Sequence, residues 1–479
     1  MIKNLEKKIL SKEELWNFQK FINNLGPRLT GTASHKKYID FIENELRNYG
    51  LEVFHDEYKF NKWEAKDCKL TIQKNNETIE ELKTTSYYPY SGQTSKDGVS
   101  GELIYCGKKK CDFKKAKGKI AIVEVNIPSM PSSVIFKKRN SYPKQVKLPA
   151  LITNPVIGSV LKGPNLKRAA EEGVLGVICI WRKLSYDNAV KQYLPFTVDY
   201  QGCPAIWVDG ETGDRLKKIA RTKVRANIIL EAKVESSALS KSIYAVLPGS
   251  NTKETIIVNT HTDGPNACEE NGGIGLLALA HYFSKFPLSE RNRTIIFVFA
   301  TGHFQLPQFG VNNRQATSRW LQDHPEFWDG KGNNKKAVAA VTIEHLGCTE
   351  WKDDKKHLTY SKTNPIDLEL VYTGNNVMND IYIKALEGRN KVRTITLRPR
   401  NNIYFGEGQP LFQEGIPTIS LVPAPDYLCK ISSNVDIDKL DAEIMYEQIQ
   451  TFLKVITGID TIPAEILGKP QKQSYGILG

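Results

Sequence analysis

The sequence predicts an α/β fold, a mixed and largely parallel sheet flanked by helices, interrupted by an inserted β-rich domain. Three observations predict it. From Ser242 onward strand-like apolar runs alternate with helical spacing, whereas from about Val99 to Leu230 short strands follow one another between turns. The 479 residues are 40% hydrophobic and 25% charged, the balance of an ordinary folded protein. At about 100 to 200 residues per domain this length calls for two or three units. The limits read as 1–95 and 236–479 for the main domain and 96–235 for the insert.

Helical spacing covers 15–22 and 38–49, and the stretch NNLGPRLTGTASHKK between them carries the Gly and Pro of a loop. Alternation over 51–60 and again over 68–73 predicts two strands. In the insert, GELIYCG, GKIAIVEV, PALITN, GVLGVICIW and CPAIWVDG read as strands, with helices at 165–172 and after Gly213. The second half then runs SIYAVLPG, TIIVNTHTDG, a helix over 274–283, RTIIFVFATGH, a helix near 317–321, AVAAVTIEHLG, a helix over 377–386, PTISLVPAP and a closing helix over 441–456. Near-continuous apolar strands alternating with helices imply a sheet covered on both faces.

The start of the sequence lacks the apolar run of a signal peptide, and no apolar run approaches the roughly 20 residues of a membrane span. A cytoplasmic protein without membrane contact is therefore expected. Eight cysteines without a CxxC pair argue for reduced thiols, with Cys106 and Cys111 close enough in sequence to pair across a loop. The formal charge of +13 includes the runs Lys108–Lys110 and Lys137–Arg139. These basic residues are spread without an aromatic platform or recognition helix, so a solvated surface is expected rather than a nucleic-acid site.

Three predicted strands end in polar clusters: the first at His261 and Asp263, the second at His303, the third at Glu344 and His345. In open α/β sheets ligands bind beyond the C-terminal ends of strands, where residues distant in sequence meet. Imidazole and carboxylate suit zinc, so His261, Glu344 and a carboxylate from the CEEN segment could supply a three-ligand site. Asp263 suits the orientation of a ligating imidazole. Simple hydrogen bonding around loop ends would leave the same residues there. His281, on the apolar face of LLALAHYF, reads as a packed residue.

The segment NTHTDGPNACEENGGIGLLALAHYF resembles the metal-binding region of the zinc aminopeptidase family, which includes glutamate carboxypeptidases and glutaminyl cyclases. GPRLTGTASHKKYIDFIENELRNYGLEV, TIIFVFATGH, VTIEHLG and GEGQPLFQEGIPTISLVPAP resemble further parts of that family, and the insert resembles a protease-associated domain. The likeness covers most of the chain and implies a zinc-peptidase α/β/α sandwich. It also implies His261 and Glu344 as metal ligands, Asp263 as orienting partner, and Glu270 or Glu269 as the bridging carboxylate, with Glu270 preferred. Tyr404, Glu407 and Gln409 fall in the family's substrate-pocket loop.

Two positions depart from the family pattern. His303-Phe304 stands where a Glu-Glu pair supplies the base and a second-metal ligand, and Cys429 stands where a final histidine ligand is expected. Phenylalanine offers no ligand atom, so one zinc is expected, on His261, Glu270 and Glu344 with His345 as a further donor and Cys429 as an alternative. His303 then replaces the missing base. The expected activity is hydrolysis of a peptide or small amide by metal-activated water. The alternatives are an inactive, peptidase-like binding protein and a one-zinc variant such as an N-terminal cyclase. The oligomeric state, monomer or homodimer, stays open.

Overall fold

A computed structural model describes residues 9–75, 77–107, 111–222, 224–401, 403–431 and 436–471. The basic run at 108–110 lies outside the described residues. Two helices, Lys12–Asn24 and Ala33–Asn48, open the chain. Ser11 and Glu14 form a reciprocal capping box at the first, and Thr32 caps the second by accepting from the His35 amide at 3.3 Å. The second helix buries Tyr38, Ile39, Ile42 and Leu46 on one face. That face meets the largely apolar helix Gly272–Ser284, which is buried nearly all round. Two glycines permit the approach: a Cβ on Gly273 would lie 2.3 Å from the Tyr38 hydroxyl, and one on Gly272 would lie 2.0 Å from the Ile343 carbonyl.

The two strands expected over 51–60 and 68–73 are one strand, Val53–Lys74. Register shifts at Phe60/Lys62 and Ala65/Asp67 absorb the break in alternation, so antiparallel pairing with Arg225–Leu247 continues along both. This ribbon joins the two halves of the molecule. The N-terminal end of Arg225–Leu247 pairs with Val99–Tyr105 of the insert, and its C-terminal end pairs with Arg293–Ala300 of the main sheet. A single hydrogen-bonded path thus runs from one half into the other.

In the main sheet the strands Arg293–Ala300, Asn251–His261, Lys336–Ile343 and Thr418–Leu421 are parallel neighbours. All eight residues of Arg293–Ala300 are buried, as a strand covered on both faces requires. The fold is the expected one: mixed α/β, largely parallel, with flanking helices. The insert holds its own parallel strands, Ile120–Asn126, Gly176–Arg182 and Ala205–Val208. It also carries an unanticipated helix, Pro155–Lys162. Lys137–Tyr142, inside the expected insert limits, pairs with Thr394–Arg398 at the edge of the main sheet, so the insert reaches back to cover that edge. Cys106 and Cys111 form a disulfide, a correction to the expectation of reduced thiols throughout, while the other six cysteines are free. Among the described residues no helix is long and apolar enough to cross a membrane.

His35 is buried between the N-terminal loop and the main sheet. Its Nδ1 accepts from the Gly31 amide at 3.1 Å and its Nε2 donates to the Thr262 hydroxyl at 2.8 Å, which is the neutral tautomer. Burial pushes its pKa down to about 4 from 6.5. The unfolded chain therefore takes up a proton first as pH falls, and stability that is complete above pH 6.5 is lost toward pH 4, by up to about 3 kcal/mol. Urea unfolding between pH 7 and 4.5 is expected to show this slope, and His35→Gln is expected to flatten it.

Candidate metal centre

The C-terminal ends of three adjacent parallel strands deliver the polar groups. His261 is the last residue of its strand, His303 follows Ala300 through a left-handed Gly302, and Glu344 follows Ile343. In a continuing strand Glu344 and His345 would point to opposite faces. His345 instead adopts a left-handed backbone with φ 56°, rare for a side chain of this size, and both side chains turn into the same space.

Each of the three imidazoles is fixed through Nδ1. That atom donates to the Asp263 carbonyl in His261 (3.0 Å), to the Pro423 carbonyl in His345 (2.6 Å) and to Glu407 Oε1 in His303 (2.6 Å). Nε2 is left facing the cluster each time. His345 Nε2 lies 3.3 Å from Glu269 Oε2, and His303 Nε2 lies 3.8 Å from Glu269 Oε1. His261 Nε2, His345 Nε2, Glu269 Oε2 and Glu344 Oε2 are buried without a hydrogen-bond partner. Ligand atoms of His261, Glu269 and His303 lie within 4.8 Å of one another, as do those of His261, Glu344 and His345.

Water hardly reaches these groups: His261 is 0%, Glu269 and Glu344 1%, His345 3% and His303 6% exposed. Burial pushes Glu344 up to about 7 and Glu269 well above the carboxylate range, where the charges of neighbouring acids add to it. Burial likewise pushes His345 down to about 3 and His261 well below its ordinary value. His303 is the exception. Burial pulls it down, yet the hydrogen bond and charge of Glu407, with Glu269 and Glu344, carry it up to about 9. The cluster is thus a set of nitrogen and oxygen donors disfavoured in their own charged forms, and a divalent cation would stabilise it. Donor type, unpartnered atoms and Nδ1 fixation all fit zinc.

The register preferred from sequence changes at the acidic pair. Glu270 is buried in an ion pair with Arg28, whose guanidinium also donates to the carbonyls of Ile22, Gly26 and Asn266. Glu269 is the one among the imidazoles. Asp263 reaches His261 through its carbonyl, while its carboxylate accepts from Thr30 Oγ1 (2.5 Å) and from the amides of Gly302 (3.1 Å), His303 (3.1 Å) and Phe304 (2.9 Å). Cys429 is buried, with its thiol pushed up by desolvation, and stands outside both donor groups. Phe304 packs against Phe196.

The three residues of the expected substrate loop each have partners within the protein. Tyr404 stacks on Tyr372 and meets the Thr418 hydroxyl. Gln409 accepts from the Gln315 amide. Glu407 is fully buried beneath His303 and accepts from the Ala316 and Thr317 amides at 3.2 and 2.7 Å. Arg28, Thr30 and Phe196 were not singled out in the sequence. Arg28 lies in a Gly-Pro loop, and no local signal marks a loop arginine as buried.

No protein-family model matches the sequence, and no curated protein matches it. Solved structures do match in fold. A zinc aminopeptidase from Bacillus subtilis aligns with TM-score 0.63 and 16% identity over 95% of this chain and 97% of its own. A peptidase M28 precursor from Shewanella amazonensis aligns with TM-score 0.65 and 15% identity over 96% of each. The chain has the zinc-aminopeptidase fold. An aminopeptidase from Aneurinibacillus sp. strain AM-1 aligns at TM-score 0.59 and 18% identity over 98% of this chain and 97% of its own. These alignments run along nearly the full length of the chain.

Two neighbouring glutamates therefore separate experimentally. Glu269→Gln is expected to abolish zinc uptake measured by elemental analysis while leaving urea stability of the metal-free chain intact. Glu270→Gln is expected to cost about 3 to 5 kcal/mol, because it strands the buried Arg28 charge.

Proposed function

We propose that the chain is a metal-dependent hydrolase of the aminopeptidase type, acting on a peptide or small amide with one zinc ion. The observation that carries this is the set of unpartnered buried donor atoms on His261, Glu269, Glu344 and His345, which fall in two donor groups that share His261. Those four residues would hold the metal. A bound zinc supplies polarisation of a carbonyl and acidification of a water. His303, with Nδ1 committed to Glu407, holds Nε2 beside Glu269 for proton transfer. The Asp263 carboxylate fixes the His303 backbone and so sets the reach of that nitrogen. One ion is proposed because Phe304 has no ligand atom and Cys429 is outside the donor groups. We also take the insert to be a protease-associated domain.

A second reading draws on the low exposure of the donors: a structural metal in a peptidase-like binding protein. Elemental analysis of the purified chain is expected to find about one zinc, and His261→Ala, which removes the donor common to both groups, is expected to lose it. The zinc-loaded chain is expected to turn over aminoacyl and peptide substrates, to stop on chelation and to recover with zinc. Bound zinc without turnover on a peptide library would select the binding protein, and no zinc at all would sink both readings. Glu407→Gln is expected to lower kcat by about 10- to 100-fold, the usual effect of removing the oriented partner of an active-site imidazole.

A further inference from the structure

The donor cluster lies beneath a segment of the insert. Residues 185–196 leave the strand Gly176–Arg182, make the short turn Tyr186–Ala189 and cross the loop 425–431. The first part is tied down. Tyr193 N donates to the Cys429 carbonyl, Ile431 N to the Lys191 carbonyl and Gln192 Nε2 to the Asp426 carbonyl, the last at 2.8 Å. Ser185 donates through N and Oγ to Asp353 at 2.9 and 2.6 Å. Lys352 Nζ and Asn188 Nδ2 hold the Asp426 carboxylate at 2.5 and 3.3 Å.

The segment's far end is held differently. Among the described residues, 196–198 make no backbone hydrogen bond. Phe196 is half-buried and held by packing, against an apolar cluster and against rings, rather than by hydrogen bonds. It stacks on His303 with centroids 5.6 Å apart and planes at 21°, and lies 5.0 Å from Phe304. Tyr193 backs Phe304 at 6.0 Å. The His303 ring is itself stacked on His261 at 4.0 Å, so Phe196 sits on the outward neighbour of a proposed metal donor. A ring without hydrogen bonds, next to an anchored segment, is the part of such a strap that opens at least cost.

We propose that Phe196 occupies, in the absence of a reactant, the slot that selects the reactant, and that the preferred reactant presents a flat apolar side chain, aromatic above all, that takes its place on His303 and Phe304. The occupant defines the chemistry of the slot: two ring faces at offset-stacking and edge distances favour another ring. This rests on the hydrolase reading above, and Phe196 is a specificity-determining residue in it rather than a catalytic one.

The test uses the zinc-loaded full chain, with Phe196→Ala and the milder Phe196→Leu. Loss of two ring contacts is expected to speed zinc removal by a chelator about tenfold in Phe196→Ala, with Phe196→Leu between it and wild type. The Michaelis constant for a phenylalanyl anilide is expected to fall by about the same factor, because the ring no longer competes, while that for a glycyl anilide stays put. Equal chelation rates in all three chains, or equal changes for both anilides, would overturn the proposal. Chelation is read without turnover, so an inert but gated protein defeats the hydrolase reading alone. If the chain takes no zinc, amide exchange at 301–305 decides: faster in Phe196→Ala than in wild type supports the gate, and unchanged rejects it.

Discussion

A carboxylate that gives up water must find its hydrogen bonds in the protein, and at this site the carboxylates differ in what they find. Asp263 takes one from Thr30 and three from the backbone of 302–304. Glu407 takes His303 and two amides. Glu270 takes the guanidinium of Arg28. Glu269 and Glu344, like Glu270 at its Oε2, keep an oxygen with nothing to bond, and of these three only Glu269 and Glu344 belong to the donor groups around His261. The first three are the frame and the last two are the exposed face of the cluster toward a cation. Removing a frame carboxylate leaves its donors stranded, whereas removing a facing one leaves only a vacancy in a ligand set.

The frame also explains why three imidazoles end with Nε2 inward. Each Nδ1 acceptor comes from a different segment: the Asp263 turn, the Pro423 turn and the Glu407 loop. These three segments meet because the parallel strands end together. Glu344 holds one of them directly, by accepting the Glu407 amide through Oε1 while Oε2 has no partner. Register in the sheet is thus converted into imidazole orientation, and a slip of one residue in the His261 strand would turn that side chain to the other face.

The strands that end at the site, the helices over 272–284 and 442–461, and the clustering of His261, Glu344 and His345 were legible in the sequence, because burial on both faces leaves long apolar runs and turn residues mark their ends; the shorter strands Lys137–Tyr142, Glu369–Thr373 and Thr394–Arg398 were not. Choosing between Glu269 and Glu270 was not. Two identical side chains adjacent in a Gly-rich turn differ only in what surrounds them, and the deciding partner, Arg28, is 242 residues away from Glu270. Glu407 read as a substrate contact for the same reason: an acid in a loop carries no local sign that His303 will lie on it. The single long strand Val53–Lys74 escaped because bulges shift the alternation on which a strand is recognised.

The substitution of His303-Phe304 for two acids is coherent with the rest of the site when taken together with Phe196. A second acid beside Glu269 and Glu344 would add another buried negative charge to a cluster whose carboxyls already resist ionisation. A histidine held by Glu407 lowers that burden, since His303 stabilises the ionised forms of Glu269 and Glu344. Phe304 supplies no charge at all, and its ring is what Phe196 and Tyr193 rest on. In the proposed one-zinc reading, the residue that offers no ligand atom is thus also the one whose ring carries the contact by which the segment 185–196 covers the donors.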